Sequence, residues 1–349
     1  MHMADALVSP AVGGGLWVAA AATLTLASRD VRRSLDTSRV PLMAVLGAFV
    51  FAAQMINFTI PGTGSSGHLV GGLLLAILLG PGAGFVTVAS VLVVQALFFA
   101  DGGLLALGCN MINMGFFTCF VACPVYGLLA GTAPGRGRVI LASVVAAVLG
   151  LELGAAAVAL ETTASGISAL PLSAFLALML PIHLPIGVVE GLVTAAVILL
   201  VREVRPEVLP GVAPAAGSWS LKAVVAAFAV AALVTGGVVS WFASEHPDGL
   251  EWSLAGVTGA ESLPEPDTVA HRSLARVQER TAFMPDYAAP VDDTGGAGEA
   301  NAQGASLVNT ETSLAGLVGA LLTLLLAGCA AWFLRRRAPQ GHGPDSARY

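Results

Sequence analysis

From Val40 to Gly135 the chain carries a single formally charged side chain. No water-facing surface can be built from such a stretch, and the rest of the sequence agrees. Of 349 residues, 56% are hydrophobic and 11% are charged, against about 25% charged in a soluble domain. The reading that follows is an all-α polytopic membrane protein. The 41 glycines suit helices that pack closely in lipid. Cys109, Cys119, Cys123 and Cys329 sit in apolar runs without a Cys-x-x-Cys pair, as small buried residues do. The net charge of −6 says nothing about nucleic acid, but no basic stripe is present to bind it, so no nucleic-acid partner is expected.

Seven apolar segments are expected near 10–28, 40–60, 69–80, 84–100, 104–131, 139–162 and 172–201, with two more near 221–243 and 314–334. The chain therefore divides into a core, 1–205, a cytoplasmic linker, 206–220, a two-helix module, 221–334, with a small extracytoplasmic domain at 244–313, and a tail, 335–349. Thirteen of the sixteen basic residues fall in loops on one side of this arrangement, and the positive-inside rule places them in the cytoplasm. The N-terminus is then outside and the C-terminus inside. Segment 69–80 is short. If it merged with the next into one crossing, Arg39 and Arg136 would lie on opposite sides, so the charges favour two crossings hinged at Gly80, Pro81 and Gly82. A half-span packed against protein is the alternative.

The 244–313 loop holds twelve acids and three bases, five prolines and the Gly-rich "DDTGGAGEANAQGAS". On charge alone a solvated spacer is the plainer account. An acidic surface that gathers cations is the functional one.

The start, "MHMADALVSP", lacks the positive n-region of a secretory signal, and four arginines follow its apolar run. An uncleaved, exported N-terminus is expected. A free amine followed by His2 is a chelator by covalent geometry. The Met1 amine, the deprotonated His2 amide nitrogen and His2 Nδ1 form two fused rings with three nitrogens in a plane. A fourth nitrogen would complete a square, the geometry of Ni(II) or Cu(II), with low-spin Co(II) possible. The motif alone is not specific, because any Met-His start has it and an inert terminus is the plainer reading. The outer loop "IPGTGSSGHLVGG" offers His68 as the fourth ligand.

Glu152, His183 and Glu190 fall inside apolar segments, where ionisable groups are costly. A proton relay and a structural hydrogen-bond network both fit. Gln54, Asn57, Asn110 and Asn113 are candidates for orienting His68 or the N-terminal strand.

"MHMADALVSPAVGG" with "AAQMINFTIPGTGSSGHLVGG", "LGCNMINMGF" and "LPIHLPIGVVEGLVTA" resembles the nickel/cobalt substrate-capture (S) components of energy-coupling-factor (ECF) transporters, the NikM/CbiM family. The resemblance covers about 1–205. "HPDGLEWS" and "FMPDY" resemble the PDGLE (NikN-like) domain, here in the same chain. The resemblance implies a seven-helix S-component fold and Met1, His2 and His68 as metal ligands. It also implies a membrane coupling (T) subunit and ATPases as partners, in the cell's inner membrane. Met3 departs from an isoleucine common in the family, at a position that contributes no ligand. The chain's only lysine, Lys222, lies in "SWSLKA" without a phosphate-binding loop, so no ATPase activity of its own is expected, nor any resident cofactor. The expected function is binding of Ni2+ or Co2+ for ATP-driven import, cobalt serving cobalamin biosynthesis. A proton-coupled secondary transporter is the rival. A metalloenzyme lacks a supporting helical motif.

Overall fold

The computed structural model describes residues 1–34, 39–168, 170–209, 219–288 and 309–336. The expected tail lies almost wholly outside them, as does the Gly-rich stretch of the loop. Within them the fold is all-α apart from one small hairpin. The long helices are α1 (Pro10–Ser34), α2 (Val40–Gln54) and α4 (Pro81–Phe98), then a rod over Leu107–Ala130, then α7 (Arg136–Ser165), α8 (Leu172–Val204), α9 (Leu221–Gly237) and α12 (Thr310–Arg336). Six of these are long and apolar enough to cross a membrane, and the chain is a multi-pass membrane protein. α2 and α9 are apolar but shorter.

The rod comprises α5 (Leu107–Asn110), a π-helical middle over Met111–Ala122, and α6 (Cys123–Ala130). A π-helix is rare and usually a single turn. No periodicity in the sequence announces it.

Segment 69–80 resolves into an extended entry and α3 (Gly72–Leu79), eight residues that are all buried. Eight residues rise only about 12 Å, far short of a ~30 Å hydrocarbon layer. Yet the segment starts at the hairpin β1 (Phe58–Ile60) and β2 (Ser65–Gly67) and ends at Gly82, which abuts Ala27 and Asp30 at the arginine-bearing end of α1. It traverses the core as protein-packed backbone, and the chain reverses into α4 at Gly80, whose φ of 91° suits glycine.

α7 and α8 pair most extensively. Their approach requires glycine: a Cβ at Gly191 or Gly187 would sit 2.4 or 2.8 Å from the Cα of Val144 or Val148. Small residues four apart on one face let backbones approach in this way. The α9 and α12 helices pack on α2.

Arg136 pairs with Glu203 at one end of the bundle. The hairpin, Met1 and residues 244–288 gather at the other. Those residues depart from the spacer reading. Residues 244–288 fold as α10 (Gly249–Thr258) and α11 (Val269–Thr281) and dock on α8 and α4. Backbone contacts secure them: Ser66 N–H donates to Pro247 O at 2.8 Å, Ser244 N–H to Asn57 O at 2.7 Å, and Asp286 N–H to Phe99 O at 2.8 Å. Charge hid this, because the docking is carried by backbone groups and by Trp252 and Tyr287.

Candidate metal site

The first nine residues do not trail into solvent. Met1 and Met3 are 4% and 0% exposed. Asn110, on α5, acts as a backbone mimic for this strand: its Oδ1 accepts from Met3 N–H at 2.8 Å and its Nδ2 donates to Met3 O at 3.1 Å. Asp5 accepts from Ala106 N–H at 2.8 Å. Asn113 touches the Met3 sulfur and donates to Glu161 at 2.8 Å. The strand is thus threaded into the core with its free amine held at a defined point.

At that point the amine nitrogen lies 3.4 Å from His68 Nε2. The rings of His2 and His68 stack, with centroids 5.2 Å apart and planes 16° apart. Met1, His2 and His68 are therefore together, although they come from the terminus and a loop 66 residues on. Among the described residues no cluster of three or more His, Cys, Asp or Glu side chains has metal-binding geometry. The amine is what makes this place a donor set.

The tautomer of His68 follows from its partners, whereas His2 meets an acceptor at each ring nitrogen. His68 Nδ1 lies 3.0 Å from Leu69 O. A carbonyl only accepts, so Nδ1 carries the proton and Nε2 presents its lone pair to the amine. For His2 Nε2 the acceptor is traced through two glutamines. Val70 O accepts from Gln54 Nε2 at 2.7 Å, and Gln54 Oε1 accepts from Gln95 Nε2 at 2.7 Å. Gln95 Oε1 is then the atom 3.1 Å from His2 Nε2, and it too must accept. With its proton on Nε2, toward Gln95, a neutral His2 has its lone pair on Nδ1, the atom a terminal chelate needs.

Nδ1 has an acceptor of its own. His2 Nδ1 lies 3.2 Å from Asp101 Oδ1. Asp101 is the single charge between Val40 and Gly135, and its other oxygen accepts from Tyr287 Oη. A neutral imidazole flanked by two acceptors can satisfy only one. A cation on Nδ1 removes the conflict. Asp248, the aspartate of the "PDGLE" sequence, accepts from the Met1 amine through Oδ2.

Burial sets the protonation of this cluster. It lowers the pKa of His2, against the opposing pull of Asp101. It takes His68 to about 3, with help from the neighbouring amine and His2. Both rings are neutral near pH 7. Burial raises Asp248, but the amine and His68 outweigh it and hold this carboxylate below its usual range. Burial and Asp101 push the Tyr287 phenol well up. His2, His68, Asp101, Asp248 and Tyr287 face a common cavity of about 510 Å³.

The remaining sequence candidates are placed as follows. Gln54 belongs to the relay just described. Asn57 lines the cavity and offers its carbonyl to Ser244. Glu190 accepts from Val70 N–H at 2.7 Å and Gly71 N–H at 2.8 Å, capping the entry to α3. His183 Nδ1 bonds Met179 O at 2.7 Å, and the ring packs where a Cβ on Gly249 would meet it at 3.0 Å. Glu152 has one buried oxygen without a hydrogen-bond partner. No hydrogen bond links these three to one another. Sequence reasoning missed Gln95, Asp101 and Asp248. The isolation of Asp101 in an uncharged stretch was the available signal.

Residues 2–208 match the CbiM family, described as the cobalt uptake substrate-specific transmembrane region, and residues 222–336 match the PDGLE domain. The chain belongs to the CbiM family. The fused nickel transport protein NikMN of Rhodobacter capsulatus is 35% identical over 162 residues, 46% of each chain. The cobalt transport protein CbiM of Geobacter sulfurreducens is 36% identical over 118 residues, 33% of this chain and 34% of that one. The chain spans about half the length of the curated relatives it matches. A crystal structure of a truncated transition metal transporter superposes with a TM-score of 0.52 at 32% identity, over 58% of this chain and 99% of that chain.

Proposed function

We propose that this chain is the metal-binding membrane subunit of an ATP-driven ECF importer for Ni2+, with Met1, His2 and His68 as its ligands. The observation that carries the reading is the convergence of donors. His68 Nε2 is left unprotonated by Leu69 O beside a buried terminal amine, and the His2 ring stacks on it, with Gln95 Oε1 placed to take the Nε2 proton and leave Nδ1 for a cation. With the His2 amide nitrogen they make four nitrogen donors, which suit a square-planar d8 ion. A coupling subunit and ATPases would supply the energy, and the ion would enter from the side where the amine lies. The fused architecture shared with a relative named for nickel favours nickel. Co2+ is the second reading, supported by the cobalt-named family and by low-spin Co(II) accepting the same donors.

The test is nickel titration of the purified chain, followed by absorption spectroscopy. A yellow low-spin Ni(II) species should form. It should vanish in His2→Ala, in His68→Ala, and in a variant whose N-terminus is extended by an uncleaved tag. An extended chain that binds nickel with unchanged affinity sinks the amine as a ligand and the reading with it.

A further inference from the structure

We infer that the PDGLE unit completes the metal site in cis, with Asp248 as a positioning residue for the Met1 amine and Tyr287 as one for Asp101 against His2. This rests on the ligand set proposed above and assigns to the second unit a role at that site.

Asp248 divides its labour between its two oxygens. Oδ1 caps α10, accepting from Leu250 N–H at 2.8 Å and Glu251 N–H at 2.9 Å. Glu251 reaches back to Asp248 N–H at 2.9 Å, closing a capping box. The carboxylate is thereby held in one orientation, and Oδ2 is left to the amine. A free chain terminus is otherwise the most mobile part of a protein. With Asp248 behind it, the amine stays 3.4 Å from His68 Nε2. Two nitrogens bound at right angles to one metal lie about 2.8 Å apart for ~2 Å bonds, so little movement remains to be made. A metal-bound amine keeps two N–H groups, so Oδ2 can still accept from it. The contact therefore survives loading and favours the bound geometry.

The unit reaches the other half of the chelate through Tyr287. Its hydroxyl donates to Asp101 Oδ2 while Asp101 Oδ1 faces His2 Nδ1. Its ring stacks on Phe99 at 4.9 Å between centroids. The same unit clamps the strand between the two halves. His271 Nε2 lies 3.1 Å from both Asp5 O and Val8 O, and Gln278 donates to Gly102 O at 2.8 Å. Two side chains of this unit, Asp248 and His271, thus meet the N-terminal segment that carries Met1 and His2, and two more, Tyr287 and Gln278, meet the turn at Asp101 and Gly102 beside it. A spacer has no reason to do so. Gly249 allows it, since a side chain there would collide with His183.

Asp248→Ser tests this on the full-length chain in detergent, with Ni2+ as the probe. Serine keeps the cap of α10 and removes the acceptor for the amine. Nickel affinity should fall about 10- to 100-fold, as when partners behind metal ligands are removed. The low-spin absorption band should keep its position at saturation, because no ligand has been lost. Tyr287→Phe should weaken binding in the same way. Asp248→Ala, which also removes the cap, should bind nickel as weakly as Asp248→Ser but melt lower. If Asp248→Ser binds nickel as the parent does while His68→Ala does not, the unit builds no part of the site. Tighter binding by Asp248→Ser also overturns the inference, since it would make Asp248 a block. Failure of the parent chain to give the band overturns the ligand set itself, and this inference falls with it.

Discussion

His68 has one nitrogen spoken for by Leu69 O and another facing an amine, in a place that burial makes hostile to a second proton. Its pKa falls from 6.5 to about 3. In the metal-free protein this shift makes stability depend on pH. Between pH 6.5 and pH 3 the unfolded chain binds a proton at this histidine and the native chain does not. Stability is therefore full above about pH 6.5 and declines as pH falls through that window, by up to about 1.4 kcal/mol per pH unit for each such group. His2, shifted in the same direction, adds to the slope. Thermal unfolding of the metal-free chain between pH 7 and pH 4 should show this decline, and His68→Gln should flatten it. An unchanged slope in the variant would show that His68 is not held neutral. That Met1, His2 and His68 meet was legible in the sequence, because Met1 and His2 are joined covalently and one outer-loop histidine was within topological reach. The residues that aim them were not legible. Gln95 lies on α4, Asp101 follows it, and Asp248 lies in another domain, so their convergence exists only in the fold.

At the scale of elements, apolar length made nearly every long helix legible, and charge made the reversal at Gly80 legible. The π-helical middle of the rod and the docking of 244–288 were not, since neither leaves a period or a charge pattern. Glu190 shows why an intramembrane carboxylate does not by itself announce proton traffic. Both of its oxygens accept from backbone N–H groups where the chain enters α3. Those donors belong to Val70 and Gly71, and Val70 O begins the glutamine relay that turns Gln95 Oε1 toward His2. Glu190→Ala should orphan two buried donors at about 1–3 kcal/mol each, seen as a lower melting temperature. It should also weaken nickel binding, because Val70 O is no longer fixed. Glu190→Gln, with one acceptor left, should fall between. A relay role predicts the reverse pattern, with Glu190→Gln leaving stability and binding intact while abolishing transport.

For the whole molecule, the question is how an ion held at one end could reach the other. Between the donor nitrogens and the arginine-rich face the interior is filled by side chains with no exposure, among them Phe51, Leu73, Leu75, Phe85 and Met114. Close-packed interiors deform by switching between packings, not by gradual opening. Glu152, His183 and Glu190 do not form a connected chain of hydrogen bonds that a proton gradient could drive, and two of the three are committed to backbone partners. Release therefore calls for displacement of the chain by an outside agent, the part that ATPases and a coupling subunit would play. In proteoliposomes the purified chain alone should bind nickel yet accumulate none under an inward proton gradient. Adding the coupling subunit and ATPases should give uptake that needs ATP hydrolysis and is lost in His68→Ala. Gradient-driven accumulation by the chain alone, abolished by Glu190→Gln, would instead make it a secondary transporter and return the intramembrane acids to the centre of the mechanism.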